Sequence, residues 1–178
     1  MRTSDLFKCS APGCSLHSTS FRQSLLTDCL AAETSIFFTS FILSLDPSIP
    51  SHPITELISA VGARIEDKNI DARLVLNHLP RRSRFALPNL TMLKFITGKK
   101  IVVRWNIENR IQHSKLILID KKILYIGSHN LTRTALLNPY EVTARFFNPE
   151  LGSQLWERLD SYWQSLIIIP RMDGLTWH

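Results

Sequence analysis

Residues 113–130 are the most informative part of the sequence, and they read HSKLILIDKKILYIGSHN. Two runs rich in β-forming residues lie within this stretch, over 114–120 and 123–127. Only Lys121 and Lys122 separate the two runs, as a tight hairpin requires. The stretch therefore predicts two antiparallel strands, with His113 at the entry to the first and Ser128 at the exit from the second.

Helical and strand-like patterns alternate upstream of this hairpin. Apolar residues recur at helical spacing over 21–30 and 54–65, and a run typical of a buried strand follows each helix, over 35–43 and 72–76. Three prolines and two serines over 46–53 mark the loop between the first strand and the second helix. A short helical run over 90–95, ended by Gly98, leads to another strand over 101–105.

A strand over 140–147 and a closing helix follow the hairpin. The apolar stripe of that helix consists of Leu151, Leu155, Leu159, Tyr162 and Trp163. Alternating helices and strands, together with one hairpin, predict the α/β class. We expect a mixed, mostly buried β-sheet with helices on both faces.

Length and composition predict one folded domain. The chain has 178 residues, of which 44% are hydrophobic and 20% charged, and this balance excludes an intrinsically disordered chain. We assign the domain to residues 21–178 and treat residues 1–20 as a poorly ordered, serine-containing lead-in. The net charge of +6 favours polyanionic partners such as nucleic acid or anionic lipid.

The same sequence features predict a cytoplasmic protein without stable membrane insertion. The longest apolar run, over 35–43, is too short for a membrane span of about 20 residues and contains hydroxyl side chains. Residues 1–20 lack the apolar segment and cleavage site of a secretory signal. An odd number of cysteines, three, fits a reducing compartment better than a disulfide framework.

Two interpretations are open for the cysteines of the lead-in. Cys9, Cys14 and His17 are close enough in sequence to bind zinc, but structural zinc needs four ligands and only Cys29 remains as a fourth. The alternative is a disordered segment without metal.

The polar residues that bracket the hairpin predict a phosphate site. On a strand, His113 and Lys115 point to the same face, so an imidazole and an ammonium converge. Ser128 and Asn130 follow the returning strand, where a hydroxyl and an amide suit phosphoryl oxygens, and Gly127 permits close backbone approach. Because Lys115 would repel a divalent ion, we expect no catalytic metal and no cofactor.

The spacing of these residues resembles the HxKx4Dx6GSxN signature of the phospholipase D superfamily. The matching positions are His113, Lys115, Asp120, Gly127, Ser128 and Asn130. The resemblance covers most of the chain and is closest to the small, single-motif, endonuclease-like subgroup. It implies a phospholipase D-like catalytic domain with αβα layers over 21–178.

The resemblance also implies a mechanism and a homodimer. In-line displacement at phosphorus needs a nucleophile and an acid on opposite sides, yet the sequence has one HxK motif. Single-motif members of the family look like dimers that bring two copies of the catalytic histidine to one site, with a phosphohistidine intermediate. Glu141 matches the family's carboxylate that hydrogen-bonds and orients this histidine.

Asp120 is the motif residue with the least direct predicted role. The family motif places it among the candidate catalytic residues, but five residues after Lys115 it points to the opposite strand face and precedes the turn. We therefore expect structural support, through backbone groups or a neighbouring cation, and no proton transfer.

An endonuclease of low sequence specificity, acting on DNA or RNA, is the function that these features favour. Arg81, Arg82 and Arg84, with further basic residues up to Arg110, precede the motif and offer a substrate-binding groove. Two alternatives remain open: a phospholipid phosphodiesterase of the phospholipase D or cardiolipin hydrolase type, and a catalytically inactive nucleic-acid-binding module.

Overall fold

The computed structural model describes residues 13–46, 48–49, 51–77, 93, 95–96, 99–106 and 111–168, with backbone alone for 13–19 and 168. Within them, eight strands form one sheet. The strands are β1 Gly13–His17, β2 Ser35–Thr39, β3 Asp71–Asn77, β4 Val102–Asn106, β5 Leu116–Ile119, β6 Ile123–Gly127, β7 Val142–Phe147 and β8 Ile167–Ile168. The helices with complete bounds are α1 Ser18–Leu30, α2 Pro53–Lys68, α3 Arg133–Leu137 and α4 Pro149–Ser165.

The sheet is mixed, in the order β1-β7-β6-β5-β2-β3-β4-β8. Strands β2, β3 and β4 are parallel to one another, whereas every other pairing is antiparallel. The hairpin β5–β6 is therefore inserted beside the parallel strands, with β5 paired to β2. This arrangement confirms the predicted mixed α/β sheet.

The core occupies both faces of the sheet because the central strand alternates its side chains. In β2, Ile36 and Phe38 belong to the cluster that packs on α1 and α2, whereas Phe37 belongs to the opposite cluster with Trp163 of α4. All three side chains are at most 1% exposed. Burial on both faces explains why the three central residues of this strand are all apolar. The strand ends at Thr39 and is therefore shorter than the predicted run over 35–43. The predicted αβα layering is confirmed.

The turn of the hairpin is longer than the sequence predicts. Ile119 pairs with Ile123, which leaves three residues in the turn, and Lys122 N donates to Ile119 O at 3.0 Å. Asp120 and Lys121 both have positive φ, 51° and 55°. The first strand also begins at Leu116 and not at residue 114.

The lead-in assigned to residues 1–20 is too long. Residues Gly13–His17 form the edge strand β1, which pairs antiparallel with β7, and α1 begins at Ser18. Backbone hydrogen bonds to a strand from the other end of the sequence order this segment, and periodicity within residues 1–20 carries no sign of that partner. No helix in the described part of the chain has the length and apolar character that crossing a membrane requires.

Candidate active site

Five of the six motif residues lie at one end of the strands because the hairpin returns there, whereas Asp120, in the hairpin turn, lies at the other end. Leu116 at the start of β5 pairs with Ile126 near the end of β6, and Gly127 N donates to Lys115 O at 3.2 Å. Since Thr39, the last residue of β2, pairs with Leu116, the same edge carries the carboxyl ends of the parallel strands. This is where open α/β sheets place their ligands.

His113 and Lys115 meet as predicted, although for a different reason. Residues 111–115 form neither helix nor strand. Lys115 Nζ donates to His113 O at 2.8 Å and lies 3.1 Å from His113 Nδ1 and 3.2 Å from Nε2. The imidazole is exposed and the lysine is half-buried. Burial lowers the pKa of Lys115, and the negative charge of Glu141 partly opposes that shift.

The aromatic ring of Phe41 lies against both His113 and Lys115. Phe41 lies with its ring centroid 4.9 Å from that of His113 and 5.6 Å from Lys115 Nζ. The ring restricts the imidazole by contact and attracts the ammonium through a cation–π interaction. Phe41 was not among the predicted site residues. The sequence feature that could have identified Phe41 is its position two residues after the end of β2, because β2 pairs with β5, the strand that follows Lys115.

Ser128 and Asn130 leave β6 at the same edge. Ser128 Oγ accepts from Val142 N at 3.0 Å and donates to Val142 O at 3.3 Å, and the side chain is exposed. Asn130 Oδ1 accepts from Ile42 N at 3.4 Å, which connects this loop to the segment that carries Phe41. Gly127 does permit a close approach, but to protein: a Cβ there would lie 2.3 Å from Thr143 Oγ1.

His129 anchors the loop between Ser128 and Asn130. It is 2% exposed, its Nδ1 lies 2.8 Å from Thr143 Oγ1, and its ring stacks on Phe21 at 4.5 Å. The buried ring holds the loop to α1 and β7 while its neighbours in sequence remain at the surface.

Glu141 lies beside the site without belonging to a strand. Its backbone N donates to Asn138 O at 3.2 Å, and β7 begins one residue later. The negative charge of its carboxylate acts on Lys115, whose pKa it raises. The hydrogen bond from Glu141 to the ring of His113 stays a prediction.

A family comparison matches this part of the chain. The sequence model described as "Cardiolipin synthase, PLD-like domain" matches residues 26–163, which include the whole motif. The chain belongs to the phospholipase D superfamily. No curated protein sequence matches it.

Solved structures share the phospholipase D fold. Nuc from Salmonella typhimurium, a phospholipase D family member, has a TM-score of 0.69 at 21% identity, covering 88% of this chain and 95% of Nuc. NucT from Helicobacter pylori has a TM-score of 0.65 at 15% identity, covering 88% of this chain and 98% of NucT. Phosphatidylserine synthase from Haemophilus influenzae has a TM-score of 0.69 at 14% identity, covering 93% of this chain but 41% of the synthase. At these identities the likeness shows the fold alone.

Asp120 of the phospholipase D motif lies at the far end of β5 from His113. Five residues at about 3.3 Å each put it roughly 16 Å from Lys115. Its carboxylate, with 5% of the side chain exposed, accepts from the backbone N of residues 33–35 at 2.8–3.1 Å and from Thr34 Oγ1 at 3.0 Å. Burial alone would raise the pKa of Asp120, but these hydrogen bonds outweigh it and the pKa is lowered. The carboxylate therefore holds the loop between α1 and β2.

Several residues for which the sequence predicts a role lie outside the part of the chain that the structure describes. Arg81, Arg82, Arg84 and Cys9 lie outside the described residues, and the side chains of Cys14 and His17 are not described. Arg104, also assigned to the basic groove, instead donates to Trp163 O at 2.5 Å and stacks over that ring. Packing against α4 thus uses one of the predicted groove cations.

Proposed function

We propose that this phospholipase D superfamily phosphodiesterase is a metal-independent endonuclease, acting through a phosphohistidine at a site shared by two copies of the chain. The observation that carries the proposal is the exposed His113 ring, held 3.1 Å from the Lys115 ammonium at the open edge of the sheet. A nucleophile and a fixed cation side by side are what phosphoryl transfer needs in place of a metal.

The chemistry follows from these groups. A ring nitrogen of His113 attacks phosphorus, a nitrogen–phosphorus bond forms, and the bond to the leaving oxygen breaks. Lys115, with Ser128 and Asn130, stabilises the negative charge on the non-bridging oxygens. Water then attacks the phosphohistidine from the vacated side, the nitrogen–phosphorus bond breaks, and His113 is regenerated.

The leaving oxygen needs a proton from the opposite side of phosphorus. The sequence supplies one HxK motif, so a symmetric dimer provides the second imidazole. The partner's His113 donates this proton in the first step and accepts one from water in the second. The exposure of His113 supports this assignment because a second copy has access to it.

Nucleic acid is the favoured substrate. The chain carries a net charge of +6, which suits a polyanion. Its fold also matches nearly all of Nuc and NucT but less than half of the phosphatidylserine synthase. The likeness to that synthase and the cardiolipin synthase family description keep a phospholipid phosphodiesterase as the second candidate. The inactive nucleic-acid-binding module is the third.

One experiment separates the three functions. The protein is incubated in EDTA with plasmid, single-stranded DNA, RNA or anionic phospholipid vesicles, as wild type, His113→Ala and Lys115→Ala. Lys68→Ala removes the same charge as Lys115→Ala, at the exposed end of α2 just before the start of β3, and serves as the control. Cleavage of nucleic acid by wild type and control, lost in the two motif variants, is the expected result. Cleavage of lipid alone, or binding without cleavage, would contradict the proposal.

The shared site has its own test. His113→Ala and wild-type protomers with different tags are mixed, and the heterodimers are isolated. Because a single site takes one imidazole from each copy, the activity of the heterodimer should fall to that of the dimer in which both protomers carry His113→Ala. Half of the wild-type activity in the heterodimer would mean that each chain is catalytically complete.

A further inference from the structure

The backbone just before His113 is held by one buried side chain. Asn77, the last residue of β3, is 2% exposed. Its Oδ1 accepts from Gln112 N at 2.9 Å, and its Nδ2 donates to Gln112 O at 2.8 Å. One amide therefore pairs with both backbone polar groups of the residue that precedes the catalytic imidazole, as a neighbouring strand would.

The same amide reaches the second segment that contacts His113. Asn77 Nδ2 also donates to Phe41 O at 3.4 Å, and the Phe41 ring lies against the imidazole. Asn106, the last residue of β4 and 4% exposed, donates from Nδ2 to Asn77 Oδ1 at 3.3 Å. This donor fixes which end of the Asn77 amide faces Gln112 N.

We propose that Asn77 is a positioning residue for His113, acting through the backbone of Gln112 and the carbonyl of Phe41. The inference deepens the proposed function and rests on it, because it assigns a role relative to the His113 nucleophile. In this role Asn77 acts through other residues and takes no part in the chemical step itself. It connects the carboxyl end of β3 to the two segments that lie on either side of the imidazole.

The arrangement requires an amide. Two carbonyl oxygens, those of Gln112 and Phe41, face Nδ2, while the amide N–H of Gln112 faces Oδ1. Aspartate has the same shape but no donor when ionised, so it would set an oxygen against both carbonyls. Since a displacement of the nucleophile by about 1 Å costs roughly a hundredfold in rate, losing the clamp should lower kcat strongly.

The test uses hydrolysis of bis(p-nitrophenyl) phosphate in EDTA with Asn77→Asp. We expect kcat to fall by about a hundredfold with KM within about twofold, because the phosphate contacts of Lys115 and Ser128 remain. The matched control is Val75→Ala, two residues earlier in β3, where the side chain packs in the cluster that contains Phe37 and Trp163. It should lower the melting temperature and leave kcat unchanged. An unchanged kcat in Asn77→Asp, or an equal loss in Val75→Ala, would overturn the inference.

A second variant covers the case in which Asn77→Asp does not fold. Asn106→Ala removes the donor that fixes the orientation of the Asn77 amide and leaves Asn77 itself unchanged. The amide should then be held less firmly, and kcat should fall about threefold, the effect of one weak hydrogen bond. An unchanged kcat there would count against the inference. The NMR signals of the His113 ring, recorded without substrate, should broaden or split in both variants and stay sharp in Val75→Ala. If wild type hydrolyses no phosphodiester, the proposed function fails, whereas an undisturbed ring in Asn77→Asp defeats the positioning role independently.

Discussion

Replacing Asp120 with alanine removes the acceptor for four hydrogen bonds between the hairpin turn and the loop before β2. The donors are the backbone N of residues 33–35 and the hydroxyl of Thr34. Glu33 and Thr34 are exposed, so water replaces the acceptor there, but Ser35 is 2% exposed and its N–H would be left buried without this acceptor. A buried, unsatisfied donor costs about 1–3 kcal/mol, and the lost charged acceptor adds to it. We expect the free energy of unfolding to fall by about 3 kcal/mol.

The assay is urea denaturation of wild type and Asp120→Ala, followed by kcat of the folded variant. Asp67→Ala is the control, because Asp67 pairs with Arg64 with 59% of its side chain exposed, and it should change stability by less than about 0.5 kcal/mol. Because Asp120 is remote from His113, kcat of the folded variant should stay within about threefold of wild type. A stable Asp120→Ala protein that has lost kcat would refute the structural role and place Asp120 in the chemistry.

The stability effect of Asp120 should depend on pH in a defined direction. The pKa of Asp120 in the folded protein lies below its ordinary value of 3.8. Its contribution to stability is therefore fully present above that value and is lost as the pH falls through the folded-state pKa. The difference in unfolding free energy between wild type and Asp120→Ala should be constant near neutral pH and shrink below about pH 4.

Three further changes test other parts of the account. Glu141→Gln removes the charge that raises the pKa of Lys115, so the alkaline limb of the kcat/KM profile should move to lower pH; a shift to higher pH would contradict this electrostatic assignment. Gly127→Ala would place a Cβ 2.4 Å from the backbone of β7, so the free energy of unfolding from thermal denaturation should fall by about 3 kcal/mol. A neutral effect would show that β6 and β7 move apart easily at this position. Tyr125→Phe deletes the buried hydroxyl that donates to Asp28, so the free energy of unfolding in urea should fall by about 1–2 kcal/mol while kcat stays unchanged. A loss of turnover would assign that contact to the active site.

Local pattern was sufficient to predict the hairpin, the central strand and the helices around it. The apolar run over 35–43 predicts a buried strand; the strand is shorter, Ser35–Thr39, but Phe37 and Phe38 do pack into opposite clusters. The spacing of His113 and Lys115 predicts that their side chains meet, and they do. The meeting does not depend on strand geometry, since both residues precede β5.

The parts that sequence reasoning missed are tertiary contacts. Phe41 and Asn77 end up beside the motif because β2 and β3 finish at the same edge of the sheet, and no local periodicity encodes that meeting. Strand β1 depends on β7 for its hydrogen bonds in the same way. For Arg104, the sequence predicts a position in a basic groove from its charge alone. In the structure its guanidinium packs over the ring of Trp163.

Trapping the covalent intermediate tests whether His113 is the nucleophile. Wild-type protein and a labelled phosphodiester substrate are mixed in EDTA, quenched within a turnover under alkaline conditions that preserve phosphohistidine, and mapped by mass spectrometry. We predict a phosphoryl-linked adduct on His113 that is labile to acid, forms and decays at rates consistent with turnover, and is absent from His113→Ala. Turnover without any adduct, or an adduct on a different residue, would contradict it.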